Sequence, residues 1–268
     1  TGLTQGFSIQ LSQYYGAKDF ENLRKSLAHS YRLTAFIAAG VLILSQSFAS
    51  LVLTGLHTPS NIIGMSLLYL RIIFCGIPAT AAYNMFASAL RAMGNSKTPL
   101  TAMIIASVLN VSLDILFVAG FGWGVAGAAI ATVIAQSFSA VYCFLILRRI
   151  DIVHLTRADF MPASGMNARL MKLGIPVVFQ NIIIGVGGLV VQYVINGYGF
   201  LFVAGFTATN KLYGLLEMAA ISYGYAIVTY VGQNLGAGKI DRIRKGVRSS
   251  MLLSLLTSLI ISAAMFNV

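Results

Sequence analysis

Two carboxylates in this chain stand where a carboxylate is costly. Asp114 and Glu217 sit inside long apolar runs, whereas Asp19, Glu21, Asp151, Asp159 and Asp241 fall in short polar stretches. Lipid cannot solvate an ionised acid, so such a group faces a protein interior or a water-filled path. Asp114 has polar company at helical spacing. Asn110 stands four residues before it and Ser107 seven, so the three share one helix face. The tight turn Phe121-Gly122-Trp123-Gly124 follows, and Thr132 then returns to about the depth of Asn110. A hairpin closed by that turn gathers Asp114, Asn110 and Thr132, while Gly124, Gly127, Ala128 and Ala131 keep the contact face small. A carboxylate, an amide oxygen and a hydroxyl make a hard-oxygen environment, suited to Na⁺ or a proton. On this reading Asp114 binds the ion and Asn110 and Thr132 assist. The competing reading is a buried acid hydrogen-bonded for packing alone.

Glu217 has Lys211 six residues before it, a spacing that does not put both on one face. It either faces a central cavity and attracts a cationic substrate or pairs with Arg71, the other basic residue within an apolar run. Tyr83, Tyr213 and Tyr223, with Tyr69, Met85, Phe86, Tyr193 and Met218, could line an adaptable cavity through stacking and cation–π contacts. Core packing or lipid exposure is the rival role for each. No glycine-rich phosphate loop, Ser/His/Asp set or metal-ligand cluster is present, which argues against an ATPase or a hydrolase. His29, His57 and His154 are scattered near helix ends and read as solvated loop residues. Cys75 and Cys143 each lie within an apolar run and form no disulfide framework. We therefore expect no enzyme activity, no cofactor and no metal beyond a coupling ion.

The elements that position these groups follow from composition. The 268 residues are 57% hydrophobic and 9% charged, with a mean hydropathy of +0.83. Soluble domains carry roughly 25% charged residues, so most of this surface meets something other than water. The net charge of +11 lies in loops rather than on one face of a soluble fold, which excludes a nucleic-acid binder. Apolar runs at 1–17, 30–54, 60–92, 99–120, 123–147, 170–197, 200–236 and 246–267 are read as membrane helices, each needing about 20 residues to cross. Gly76-Ile77-Pro78 should kink the third run, and Pro176 should bend the start of the sixth. Thr58-Pro59 and Thr98-Pro99 look like helix starts, with a threonine cap before a proline. Gly94-Asn95 looks like a helix end.

All basic residues except Arg71 and Lys211 lie in or beside the first, third, fifth and seventh loops. The second, fourth and sixth carry none. The positive-inside rule then places the odd loops in the cytoplasm, in a multi-pass protein of the cytoplasmic (inner) membrane. The chain also repeats. At an offset of 220 residues, Gln13, Gly16, Ala17, Arg24, Lys25 and Ser30 recur as Gln233, Gly236, Ala237, Arg244, Lys245 and Ser250. Six helices separate the copies, so they run in the same direction. That fits a parallel duplication with a site between the halves.

Four strings carry a family likeness. They are Gln13-Tyr14-Tyr15-Gly16-Ala17-Lys18; Leu90-Arg91-Ala92-Met93-Gly94-Asn95-Ser96-Lys97-Thr98-Pro99-Leu100; Gly124-Val125-Ala126-Gly127-Ala128-Ala129-Ile130-Ala131-Thr132; and Val231-Gly232-Gln233-Asn234-Leu235-Gly236-Ala237-Gly238. Together they resemble the multidrug and toxic compound extrusion (MATE) family. The resemblance implies an all-α polytopic membrane fold of two pseudo-symmetric six-helix bundles in a V around a cavity. About eight of twelve helices would be present, from late in the second into the ninth. The expected division is an amino-terminal lobe over 1–147, an inter-lobe loop over 148–169 and a carboxyl-terminal lobe over 170–268. The resemblance also implies an ion-coupling role for positions matching Asp114, with a further acid on a first helix outside this chain. Where some branches carry an acid on the seventh helix, this chain has only Gln180, Asn181 and Gln192.

The function so implied is a monomeric antiporter embedded in the lipid bilayer. It exports amphipathic or cationic small molecules against Na⁺ or H⁺ and binds no nucleic acid. The alternatives are a lipid-linked oligosaccharide flippase, which needs a cationic cavity, and a non-transporting membrane scaffold.

Overall fold

A computed structural model describes residues 2–55 and 61–266. His57 and the Thr58-Pro59 boundary lie outside them. Among the described residues there is no strand. The α-helices are α1 (Gly2–Gly16), α2 (Phe20–Gly55), α3 (Ile63–Cys75), α4 (Ile77–Ala92), α5 (Lys97–Asp114), α6 (Gly124–Arg148), α7 (Met166–Asn196), α8 (Phe200–Gly236) and α9 (Ile240–Phe266). Ile115–Gly120 continues α5 as a π-helix, and two 3₁₀ turns, Asp151–Val153 and Arg157–Phe160, occupy the longest connection. Hydrocarbon leaves no water for the backbone, so a spanning segment satisfies its amides internally as a helix. Six described helical segments are long and apolar enough to cross a membrane. They leave large apolar side chains such as Val108, Val111, Ile183 and Leu189 exposed. The molecule is an all-α polytopic membrane protein.

Several helices outrun their apolar stretches. α2 begins at Phe20, ten residues before its apolar run, because Asp19 caps it: the Asn22 amide donates to Asp19 Oδ1 at 3.1 Å. The polar extension buries Leu23, Leu27 and His29. α7 starts at Met166 and α9 at Ile240, so the basic residues 242–248 ride on a helix rather than in a loop. The start of α5 also differs from the expected threonine cap. α5 begins at Lys97, and Asn95 Oδ1 accepts the Thr98 amide at 3.1 Å. At the expected kink a single residue, Gly76, interrupts the helix between α3 and α4. A Cβ on Gly76 would lie 2.9 Å from Val133 Cγ2, so glycine lets α6 approach the break. α7 runs through Pro176 as one helix.

Contacts bring the basic loops to one face. Gln233 Nε2 donates to the Ala92 carbonyl at 2.8 Å, Arg169 Nη1 to the Tyr14 hydroxyl at 3.3 Å, and Arg24 Nε lies 3.7 Å from Asp159 Oδ1. The core clusters at this basic face, around Phe7, Leu11, Leu27, Leu90, Leu147 and Leu170.

The duplication is visible as geometry. α1 ends with the Asp19 amide on the Tyr14 carbonyl (3.0 Å) and the Ala17 amide on the Gln13 carbonyl (2.9 Å). α8 ends with the Lys239 amide on the Asn234 carbonyl (2.8 Å) and the Ala237 amide on the Gln233 carbonyl (3.0 Å). Both are left-handed helix stops. The stop residue is Gly238 in one copy (φ 69°) and Lys18 in the other (φ 58°). The two ends also cross each other. A Cβ on Gly16 would overlap the Gln233 carbonyl, and one on Gly236 would overlap the Gln13 carbonyl. Residues related by the repeat thus meet about a pseudo-two-fold axis. Further from the basic face, Gly6 lies against the backbone of Gly174, which fastens α1 to α7. Small residues here let helices approach backbone to backbone, where dispersion drives association in lipid.

Candidate functional site

The α5–α6 hairpin forms as the turn chemistry dictates. Gly122 (φ 69°) and Gly124 (φ 53°) take the left-handed conformations of the turn. A Cβ on Gly127 would stand 2.9 Å from Phe117 Cβ, so α6 and the π-helical end of α5 meet closely. α4 packs against the other side of α6. Between the three helices lies a cavity of ≈ 340 Å³. Its polar lining comes from Thr80, Tyr83 and Asn84 on α4, Ser107 and Asn110 on α5, and Thr132, Gln136 and Ser139 on α6. No Lys, Arg, Asp or Glu lines it.

The hydrogen bonds orient this lining in one sense. Thr132 donates to the Ala128 carbonyl (3.0 Å), Ser107 to the Met103 carbonyl (2.9 Å) and Tyr83 to the Pro99 carbonyl (3.3 Å). Asn84 Nδ2 donates to the Thr80 carbonyl at 2.8 Å, and Thr80 bonds Gln136 Oε1. Asn110 Nδ2 approaches Thr132 Oγ1 at 3.5 Å. The hydroxyl hydrogens of Thr80, Tyr83, Ser107 and Thr132 are thus committed, so their oxygens keep lone pairs to offer. An oxygen-rich, uncharged cavity of this kind accepts a hard cation or a proton donor.

Asp114 stands one helical turn beyond Asn110, at the junction where α5 widens into its π turn. It does not line the cavity, and it makes no hydrogen bond to Asn110 or Thr132. Its Oδ1 is shielded from solvent and has no hydrogen-bond partner. A buried carboxylate oxygen without a donor is an expensive arrangement that a proton or a cation relieves. Departures into π geometry within a helix cluster at functional positions.

The other sequence candidates do not gather here. Arg71 is exposed on α3, Glu217 is exposed on α8, and the two helices make no contact, so the suggested ion pair does not form. Tyr213 is exposed, and Tyr223 bonds Thr257 at 2.7 Å beside a groove between α8 and α9. Of the aromatic candidates for a substrate cavity, only Tyr83 reaches the polar cavity. Thr80, Asn84 and Gln136 escaped the sequence reading. Their signal was a polar residue in each of two apolar helices, but rotational phase between helices is not written in spacing. The histidines also depart from expectation. His29 is buried, with Nδ1 2.7 Å from Asn167 Oδ1 and Nε2 3.1 Å from the Met161 carbonyl. Of the two described histidines, His154 keeps the solvated loop role and lies 3.8 Å from Asp151.

Known proteins were then compared with the chain. The MatE family model matches residues 1–116 and 176–268. "Probable multidrug resistance protein YpnP" of Bacillus subtilis is 32% identical over 242 residues, covering 90% of this chain and 54% of that protein. "Multidrug export protein MepA" of Staphylococcus aureus is 24% identical over 237 residues, covering 87% of this chain and 52% of its own length. The chain spans about half the length of these relatives. A crystal structure of a MATE protein in its bent conformation superposes with a TM-score of 0.87 at 20% identity, over 98% of this chain and 59% of that one. A MOP superfamily transporter from Pyrococcus furiosus gives 0.86 at 20% identity, over 98% and 58%.

Proposed function

Because the chain belongs to the MatE family, we propose that it forms much of a multidrug efflux antiporter, which exports amphipathic or cationic compounds in exchange for Na⁺ or H⁺. The buried, unpartnered Oδ1 of Asp114 beside an oxygen-lined cavity carries this reading. Asp114 holds the coupling ion or proton. Asn110 and Thr132 offer oxygen one turn away, and Thr80, Asn84 and Gln136 extend the polar path. The lining has no fixed cation, which favours a cationic cargo over an anionic lipid-linked sugar. The protein lies in the cytoplasmic membrane with its basic face inward.

Contacts between the two halves at the basic face are Gly16–Gln233, Gly236–Gln13 and Gln233–Ala92. Arg91 adds a cation–π contact, 5.2 Å above the Tyr225 ring. On this reading the arrangement is the state closed at the basic face. Ion and cargo must favour opposite states of the lobes for exchange to be coupled. The test is uptake of a fluorescent cation by proteoliposomes holding the full-length transporter, under an imposed Na⁺ or H⁺ gradient. Asp114→Asn should abolish the gradient-driven component. Coupled uptake unchanged in that variant would refute the assignment.

A further inference from the structure

Where the two repeat-related helix ends cross, a second cavity opens on the basic face. It measures ≈ 580 Å³ and lies between the ends of α1 and α8 and the start of α9. Lys18, Lys239 and Arg242 line it, with Gln233 and Asn234 beside them, and no acid does. The acids nearby in sequence are committed elsewhere or turned away. Asp19 is held by Asn22 (2.7 Å), Glu21 pairs with Lys25 (2.6 Å), and Asp241 is exposed on the first turn of α9 without lining the cavity. Among the described residues none of the three cations has an ion-pair partner. Three like charges around one hollow repel each other, and the arrangement is compensated by an anion placed between them.

Lys18 strengthens the case. It is the one non-glycine described residue with positive φ, at a helix stop where the other copy of the repeat has Gly238. The left-handed conformation disfavours a side chain, and outliers of this kind mark functional positions. The chain carries a charge at a place where glycine would fit better.

We propose that this cavity binds the phosphate of an anionic lipid headgroup. It sits at the ends of α1 and α8 on the basic face, which the proposed topology puts at headgroup level, and basic hollows between spanning helices on the cytoplasmic side recognise such groups. Lys18 comes from one half of the repeat and Lys239 and Arg242 from the other, so the bound phosphate bridges the lobes. That bridging role rests on the proposed transport cycle; the binding does not.

The experiment titrates the full-length protein in detergent with soluble dihexanoyl phosphatidylglycerol and reads its melting temperature. Dihexanoyl phosphatidylcholine and inorganic phosphate are the two control arms. Phosphatidylglycerol should give a saturable rise that phosphatidylcholine does not. Each of Lys18→Gln, Lys239→Gln and Arg242→Gln should weaken the apparent affinity about fivefold. Arg71→Gln, on α3, which contacts neither α1, α8 nor α9, alters net charge equally and should leave it unchanged. Lys18→Gly separates binding from folding: it should raise the melting temperature without lipid yet still bind lipid about fivefold more weakly. An equal loss in Arg71→Gln, undiminished affinity in Lys18→Gly, or an equal rise with inorganic phosphate would each overturn the assignment. Coupled transport in the wild type is read separately, so failure there leaves this result interpretable.

Discussion

Replacing Gly16 by alanine tests the reciprocal crossing of α1 and α8. The added methyl would overlap the Gln233 carbonyl, a backbone atom with no rotamer through which to yield. Ordinary contact begins near 3.4 Å, so the helices have to part by about 1 Å or more. Overpacking of this kind costs about 1–3 kcal/mol. Charged against the state in which the helices cross, that is a shift of about 5–150-fold in its population. Gly236→Ala places the same methyl against the Gln13 carbonyl and should act equally, because the repeat makes the two sites equivalent. One separation relieves both clashes, so the double variant should cost clearly less than the sum of the singles. Spin labels at the exposed, repeat-related Ala17 and Ala237, with Cys75 and Cys143 replaced, report the spacing by pulsed electron resonance. The single variants should populate a longer distance and accumulate the form open at the basic face. Distances unchanged in both, or strict additivity in the double, would refute the crossing.

Other outcomes follow from single contacts. Asn110→Ala and Thr132→Val should each weaken Na⁺ or proton dependence of uptake about tenfold, the effect of losing one oxygen near a charge; a gradient titration in proteoliposomes reads this. His29→Ala removes two buried hydrogen bonds and should cost about 2 kcal/mol, seen as a lower melting temperature with coupling intact. Asn95→Ala deprives the Thr98 amide of its cap and should cost about 1 kcal/mol in the same assay.

Much of this architecture was legible from residues. Apolar runs marked the spans because hydrocarbon admits little else, and Gly76, Gly94 and Gly122 marked breaks because each local conformation or approach favours glycine. The repeat was legible because both helix stops kept the same Gln and Gly. Other features were hidden for identifiable reasons. The π turn after Asp114 leaves no compositional trace. Thr80 and Gln136 meet through the rotational phase of α4 and α6, which only packing sets. His29 looked solvated because it precedes the apolar stretch, yet the helical extension carries it beneath the 148–169 connection. The Arg71–Glu217 pair looked plausible only while the distance between α3 and α8 was unknown.

That same connection changes where the molecule can flex. His29 grips both the Met161 carbonyl and Asn167, Gln10 reaches Met166 Sδ at 3.0 Å, and Leu170 is wholly buried. The first turns of α7 are therefore bolted to the preceding helices, though they come after the connection in sequence. In the proposed cycle, a rocking motion would find its pivot further along α7. Pro176 cannot donate to the carbonyl of Lys172, which removes one rung of the rod, yet α1 still holds it there, with Gly2 against Val177 and Val178. If the halves move as proposed, their mechanical border falls inside a helix rather than in the 148–169 connection.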